Sequence, residues 1–242
     1  VTTVLSSEGQ AAEMTFPKFV ANVTTVLSSR DMFLVTVAYG LGVGVFYSIA
    51  TFLSQLLPDW DSVDTSTLGL VIVAVGLLGS FFAGWWLDRS RKYQGINRFF
   101  YATATLSMGL WVLAVEGGGH TLIYLIASAA GFTLTAIICA GFEHAVELTF
   151  PSDEGTTAGI MNISAQLFGS VMIWIGEEVL DKGGPFAVNT LMLGSMLLAT
   201  FLVGVLVNNR NYKRDAAERS ENGNLLQSAE RAALSAKDAN NI

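Results

Sequence analysis

The stretch "STLGLVIVAVGLLGSFFAGWWLDRSRKY", residues 66–93, decides the fold. Residues 66–87 carry no charge, and about 20 consecutive apolar residues are enough for an α-helix to cross a bilayer. The run ends at one acidic and three basic residues, as a helix does where it leaves lipid for water. This pattern predicts a membrane-spanning helix and an all-α integral membrane protein.

The composition of the whole chain agrees with this prediction. Of its 242 residues 52% are hydrophobic and only 14% charged, and the mean hydropathy is +0.50; soluble domains carry about 25% charged residues. The single cysteine, Cys139, excludes a disulfide framework and a cysteine-based metal site. The net charge of −7 argues against nucleic-acid binding, and no motif calls for a cofactor.

Apolar runs of span length predict six transmembrane helices within residues 30–209. A cytosolic leader, 1–29, precedes this bundle and a polar cytosolic tail, 210–242, follows it. The leader repeats "VTTVLSS" at 1–7 and 23–29, which we interpret as a duplicated exon edge or a gene-model error, because repeat architectures need at least about three copies. Since the chain begins at Val1, we expect a fragment. The six predicted spans are 32–57, 66–87, 98–115, 121–149, 154–180 and 186–208.

Basic residues predict the orientation of these spans. Six spans put both termini on one side, together with the 88–98 loop, and that side holds twelve of the thirteen Lys and Arg residues. Only Lys182 falls on the other side. Because cytoplasmic loops are enriched in Lys and Arg, we expect both termini in the cytosol. We expect the plasma membrane, with an organelle membrane as the alternative.

Two spans carry polar side chains at helical spacing. In "GLGVGVFYSIATFLSQ", 40–55, Tyr47 and Thr51 share one face, and in "GTTAGIMNISAQLFGS", 155–170, so do Asn162 and Gln166. Polar groups inside a membrane usually face a bundle interior or a water-filled cavity. They are candidate substrate-binding residues; the alternatives are that the two amides only tie helices together and that Tyr47 is a packed aromatic.

The segment "GFEHAVELTFPSDEG", 141–155, places Glu143 and Glu147 on one helix face. A zinc site would need a second His or Cys at helical spacing, which His144 lacks, so we expect no metal. We predict that Glu147 pairs with the basic loop after Asp88, which contains Arg89 and Arg91. Glu143 lies one turn deeper and is a candidate for protonation or for a buried pair. The five are candidate gating or structural ion-pair residues: Asp88, Arg89, Arg91, Glu143 and Glu147.

Three blocks carry a resemblance to a known family. "GWWLDRSRKY" (84–93) resembles the signature loop of the major facilitator superfamily, with Arg-Lys where Gly-Arg is usual. Together with "YGLGVGVFYSIATFLSQ" (39–55) and "GFEHAVELTFPSDEGTTAGIMNISAQLFG" (141–169), it resembles the carboxy-terminal half of the feline leukaemia virus subgroup C receptor-related transporters. The resemblance covers residues 30–209.

The resemblance implies twelve transmembrane helices in two six-helix bundles around a central cavity. It implies alternating-access transport of choline, ethanolamine or heme. Tyr47 matches the aromatic residue that contacts a quaternary ammonium, and Gln166 matches the cavity glutamine. We favour the amine over heme, since His144, near the end of its span, is a poor axial ligand.

The amino-terminal bundle that would supply the other cavity wall is absent from these 242 residues. Substrate sites in such transporters lie between the halves, so we expect a partner half in cis or in trans. Two alternatives stay open: a proton-coupled transporter of another small solute in which Glu143 titrates, and a non-transporting membrane receptor or scaffold. An enzyme is not expected, because the sequence has no nucleophile–base pair or metal-ligand set.

Overall fold

The computed structural model describes residues 23–24, 28–117, 119–207 and 220. The described part of the chain is all-helical, in agreement with the predicted class. The predicted leader, 1–29, falls largely outside these residues, and the predicted tail, 210–242, does so except for Ser220.

Within the described residues, five helices are long and apolar enough to cross a membrane. Each of the first four lies over one predicted span and extends beyond it by up to five residues at an end. A short π-helical turn, Leu202–Leu206, continues the fifth. The helices are α1 (Arg30–Leu56), α2 (Ser62–Ser90), α3 (Tyr93–Gly117), α4 (His120–Thr149) and α5 (Glu154–Phe201).

Helix α5 covers both of the last two predicted spans and reverses direction between them. Gly184 has φ 70° and ψ −172°, a conformation open essentially to glycine, and Pro185 follows it. The Ser195 hydroxyl lies 3.4 Å from the Met172 sulfur, whereas a straight helix would separate these residues by about 35 Å. Residues 154–183, the first arm, and 185–206, the second arm, therefore lie side by side and antiparallel.

Neighbouring segments of the chain run antiparallel, and this arrangement defines two ends of the bundle. The first arm of α5 packs along α1, α2 packs along α4, and α3 lies between α4 and the second arm. Arg30, the 89–92 loop and Arg98 fall at one end, the basic end. Asp59, Asp61 and Asp64 fall at the other, the acidic end.

The pair α2–α4 approaches closely because glycines line the contact. A Cβ atom on Gly79 would overlap the carbonyl oxygen of Phe132, and one on Gly131 would lie 2.5 Å from the carbonyl oxygen of Ile72. Such contacts are typical of membrane helices, where packing rather than the hydrophobic effect holds helices together. Between the two glycine contacts, the Thr135 hydroxyl donates to the carbonyl oxygen of Gly76.

The outward surface of the bundle is strongly apolar. Phe81 is 76% exposed and Trp174 is 74% exposed, and long aliphatic side chains surround them. A water-soluble protein rarely exposes so continuous an apolar surface. This surface and the five apolar helices make the chain a multi-pass membrane protein.

Candidate functional site

Tyr47 lies at the seam between α1 and the first arm of α5. Its ring is half-buried and rests on Gly169, so closely that a Cβ atom added there would lie 2.6 Å from Cδ2 of Tyr47. Thr51 follows one turn later and is exposed, and its hydroxyl donates to the carbonyl oxygen of Tyr47 at 2.8 Å. The sequence predicts both residues on one face of α1, and in the structure that face is partly exposed.

Asn162 and Gln166 lie on the first arm, one turn apart, and both are exposed. Neither amide hydrogen-bonds to another part of the chain that the structure describes. Within this chain the tie between the two helices is made instead by Ser164, whose hydroxyl donates to the carbonyl oxygen of Thr36 at 2.7 Å. The amides are thus available to a group outside the bundle.

The seam joins these residues into one polar surface. Gly169, on which Tyr47 rests, is about 60° around the helix from Gln166 and about 20° from Asn162 at 100° per residue. An aromatic ring, a hydroxyl oxygen and two amides therefore border the same exposed strip. A tyrosine ring can hold a cation by its face, and an amide can donate to and accept from a hydroxyl or an amine.

At the basic end, Asp88 on α2 and Glu143 on α4 lie at the same height along the bundle axis. A Cβ atom on Gly84 would lie 3.8 Å from the Cys139 sulfur, and Asp88 and Glu143 each follow that contact by one turn on helices that run parallel. Both carboxylates are exposed. They face the same space at the end of the bundle.

The basic loop itself is exposed, whereas its predicted partner is buried. Arg91 ends α2 in the left-handed conformation, with φ 50°, and its N–H donates to the carbonyl oxygen of Leu87. Neither Asp88 nor Arg89 forms a salt bridge with another residue of the described ranges. Glu147 is only 2% exposed. Its pairing with this loop stays a prediction.

A buried polar cluster at the basic end was missed by sequence reasoning. The side-chain amide of Asn97 lies 3.1 Å from Nδ1 of His144, and both residues are fully buried. Gln94 donates to the carbonyl oxygen of Val207 at 2.7 Å, and Arg98 donates to that of Val203 at 3.2 Å. The i, i+3, i+4 spacing of the three polar α3 residues was the available signal, but the predicted span began only at 98.

No group of three or more His, Cys, Asp or Glu side chains within the described residues could hold a metal ion. The His144 ring is fully buried, and its Nδ1 lies 3.1 Å from the side-chain amide of Asn97.

The chain is similar in sequence to several transporters. No protein-family model matches the chain. It is 31% identical over 191 residues to the choline/ethanolamine transporter flvcr2b of Danio rerio, an alignment that covers 78% of this chain and 39% of the relative. To the human choline/ethanolamine transporter FLVCR2 it is 29% identical over 216 residues, 88% of this chain and 40% of the relative.

A third relative is the uncharacterized MFS-type transporter C09D4.1 of Caenorhabditis elegans, 34% identical over 194 residues, 78% of this chain and 33% of the relative. The chain thus spans about two fifths or less of the length of these three relatives. The resemblance carried by the three sequence blocks is confirmed: the chain belongs to the feline leukaemia virus subgroup C receptor-related transporters of the major facilitator superfamily.

Proposed function

We propose that this chain is the carboxy-terminal half of a transporter that moves a small organic cation, such as choline or ethanolamine, across a membrane by alternating access. The observation that carries the proposal is the exposed polar strip of Tyr47, Thr51, Asn162 and Gln166 on otherwise apolar membrane helices. Such a strip is costly against lipid and is typical of a wall of a water-filled cavity.

The proposed topology has six spans, α1 to α4 and the two arms of α5, with both termini in the cytosol. The reversal at Gly184 supports two spans rather than one, since a helix of 53 residues would be far longer than a bilayer is thick. The concentration of Lys and Arg at the basic end supports the orientation. The plasma membrane is the proposed location.

An organic cation suits the polar strip better than heme does. The Tyr47 ring attracts a quaternary ammonium without a full opposite charge, so the cation can also be released. Gln166 and Asn162 offer neutral hydrogen-bonding groups to a hydroxyl or amine. The two relatives with a named substrate are choline/ethanolamine transporters, which supports the same class of substrate here.

A second six-helix half, in cis or in trans, would complete the cavity by covering the strip. Substrate sites of such transporters lie between the two halves near the bilayer midplane. In this arrangement Asp88, Arg89, Arg91, Glu143 and Glu147 lie at the cytosolic mouth, where they gate the cytosolic side.

Uptake of labelled choline into cells that express the complete gene product tests the proposal. We expect Tyr47→Ala and Gln166→Ala each to raise KM by roughly fivefold, the loss of one cation–π contact or one hydrogen bond. Thr190→Ala is the matched control, because Thr190 is an exposed membrane threonine on the second arm, away from the strip. If Tyr47→Ala and Gln166→Ala transport choline as the control does, the assignment of the strip is wrong.

The alternative is a proton-coupled transporter of another small solute, in which Glu143, exposed at the basic end, is the candidate proton-binding residue. Uptake that increases with an inward proton gradient and loses this response in Glu143→Gln supports coupling. Uptake that ignores the gradient in the unmodified protein excludes it.

A further inference from the structure

The seam between α1 and the first arm of α5 is built from aromatic rings that rest on glycines. Phe168 rests on Gly40, Tyr47 rests on Gly169, and the Phe52 ring rests on Gly176. Cβ atoms added to these glycines would lie 2.5, 2.6 and 2.7 Å from the respective rings, closer than real Cβ contacts come.

Gly169 differs from the other two glycines in the role of the aromatic ring that rests on it. Phe52 is buried and Phe168 is partly buried like Tyr47, but of the three rings only that of Tyr47 carries a hydroxyl and borders the polar strip. Not every glycine of this arm makes such a contact, since a Cβ atom at Gly159 would meet nothing within 4 Å. Glycine is disfavoured in helix interiors by about 1 kcal/mol relative to alanine, so a buried glycine in close contact points to a need for space.

We propose that Gly169 is a positioning residue for Tyr47 and thereby a determinant of substrate size. The missing side chain lets the ring sink into the seam, and this depth sets the room left between the ring and Gln166. A methyl group at position 169 would push the ring outward onto the strip, because the two helices are in close contact on either side of it, at Gly44 against the Phe168 carbonyl and at Gly176 against the Phe52 ring. The inference rests on the proposed role of Tyr47 as a substrate contact.

The first test reads the ring itself and does not depend on transport. With 3-fluorotyrosine placed at position 47 of the complete protein, ¹⁹F NMR reports the surroundings of the ring. We expect Gly169→Ala to shift this resonance and Gly159→Ala to leave it unchanged. Gly40→Ala controls for general disturbance of the seam, since its added methyl would meet Phe168 and Ser164 rather than Tyr47. A resonance that Gly169→Ala does not move, or that Gly40→Ala moves as much, overturns the positioning role.

The second test is a double-mutant cycle in choline uptake. We expect Gly169→Ala to raise KM several-fold with little change in the maximal rate, and to discriminate more strongly against amines with larger N-alkyl groups. In a Tyr47→Ala background the same change should have no effect on KM, because no ring remains to displace. An equal KM effect in both backgrounds overturns the inference.

These experiments distinguish a failure of the variant to fold from a failure of the proposed function. If Gly169→Ala alone does not fold, the Tyr47→Ala/Gly169→Ala protein should regain the yield and thermal stability of Tyr47→Ala; failure to do so overturns the inference. If Tyr47→Ala leaves uptake unchanged, the substrate role of Tyr47 is wrong, while the ¹⁹F result still decides whether Gly169 positions the ring.

Discussion

At the residue scale, the polar groups of this chain divide into two kinds by their partners. The amides of Asn162 and Gln166 are exposed and form no hydrogen bond with a described residue, whereas Asn97 and His144 are enclosed and bonded to each other. The Asn97 side-chain nitrogen lies 3.1 Å from Nδ1 of His144, so its N–H donates to the ring when Nδ1 carries no proton. The first kind suits a ligand, and the second holds α3 against α4.

The Asn97–His144 contact gives a prediction for stability. Asn97→Leu leaves Nδ1 of His144 buried without its donor, which costs about 1–3 kcal/mol in free energy of unfolding. Thermal unfolding in lipid nanodiscs measures the loss as a lowered midpoint. Asn97→Leu combined with His144→Leu should cost less than the sum of the two single changes, since neither partner is then left alone.

Ser66→Ala is the control for this comparison, because Ser66 is exposed and its hydroxyl bonds only to its own helix at Ser62. An unfolding midpoint for Asn97→Leu equal to that of Ser66→Ala would contradict a stabilising role for the buried contact.

At the scale of the helices, the central part of every span was predictable and the ends were not. Residues 66–87 carry no charge, which is sufficient to place α2. Helix α3 begins at Tyr93 rather than at 98, because Gln94 and Arg98 donate to the carbonyl oxygens of Val207, just after the second arm, and Val203, on it, and can therefore be part of a packed helix. Such long-range partners leave no local signal in the sequence. The same holds for the ring–glycine pairs at the α1–α5 seam.

The α2–α4 pair yields a prediction about close helix packing. In Gly79→Ala the new methyl overlaps the Phe132 carbonyl, so the two helices must separate, and overpacking of this kind costs about 1–3 kcal/mol. Gly95→Ala on α3 is the matched control, since a Cβ atom there meets nothing within 4 Å. We expect a lower unfolding midpoint for Gly79→Ala and an unchanged or higher one for Gly95→Ala. Equal midpoints would mean that the α2–α4 contact is looser than described.

At the scale of the whole molecule, the rotation of each helix decides which side chains the bundle exposes. The polar strip borders the seam between α1 and the first arm of α5, while Phe81 and Trp174 lie on the apolar outer surface. The sequence revealed the polar residues of the strip by their spacing. It could not reveal that Ser164 rather than Gln166 ties α1 to α5, because that distinction depends on how the two helices are rotated against each other.

The orientation can be checked by labelling single cysteines in a Cys139→Ala background. Asp59→Cys at the acidic end should react with a membrane-impermeant maleimide in intact cells. Arg91→Cys at the basic end should react only after the cells are permeabilised, because the proposed topology has that end in the cytosol. The reverse pattern would invert the proposed topology, and labelling of both in intact cells would exclude a single orientation.

The turn at Gly184 also has a consequence for how the protein is made. Only Gly184 is non-helical between the two arms of α5. No loop is therefore long enough for the first arm to be inserted into the membrane before the second. We therefore expect the two arms to enter the bilayer together as a hairpin. The first arm, which carries Asn162 and Gln166, is then inserted in company with the second arm, whose apolar side chains favour entry into lipid. The tight turn thus allows a span polar enough to line a cavity to be inserted during synthesis.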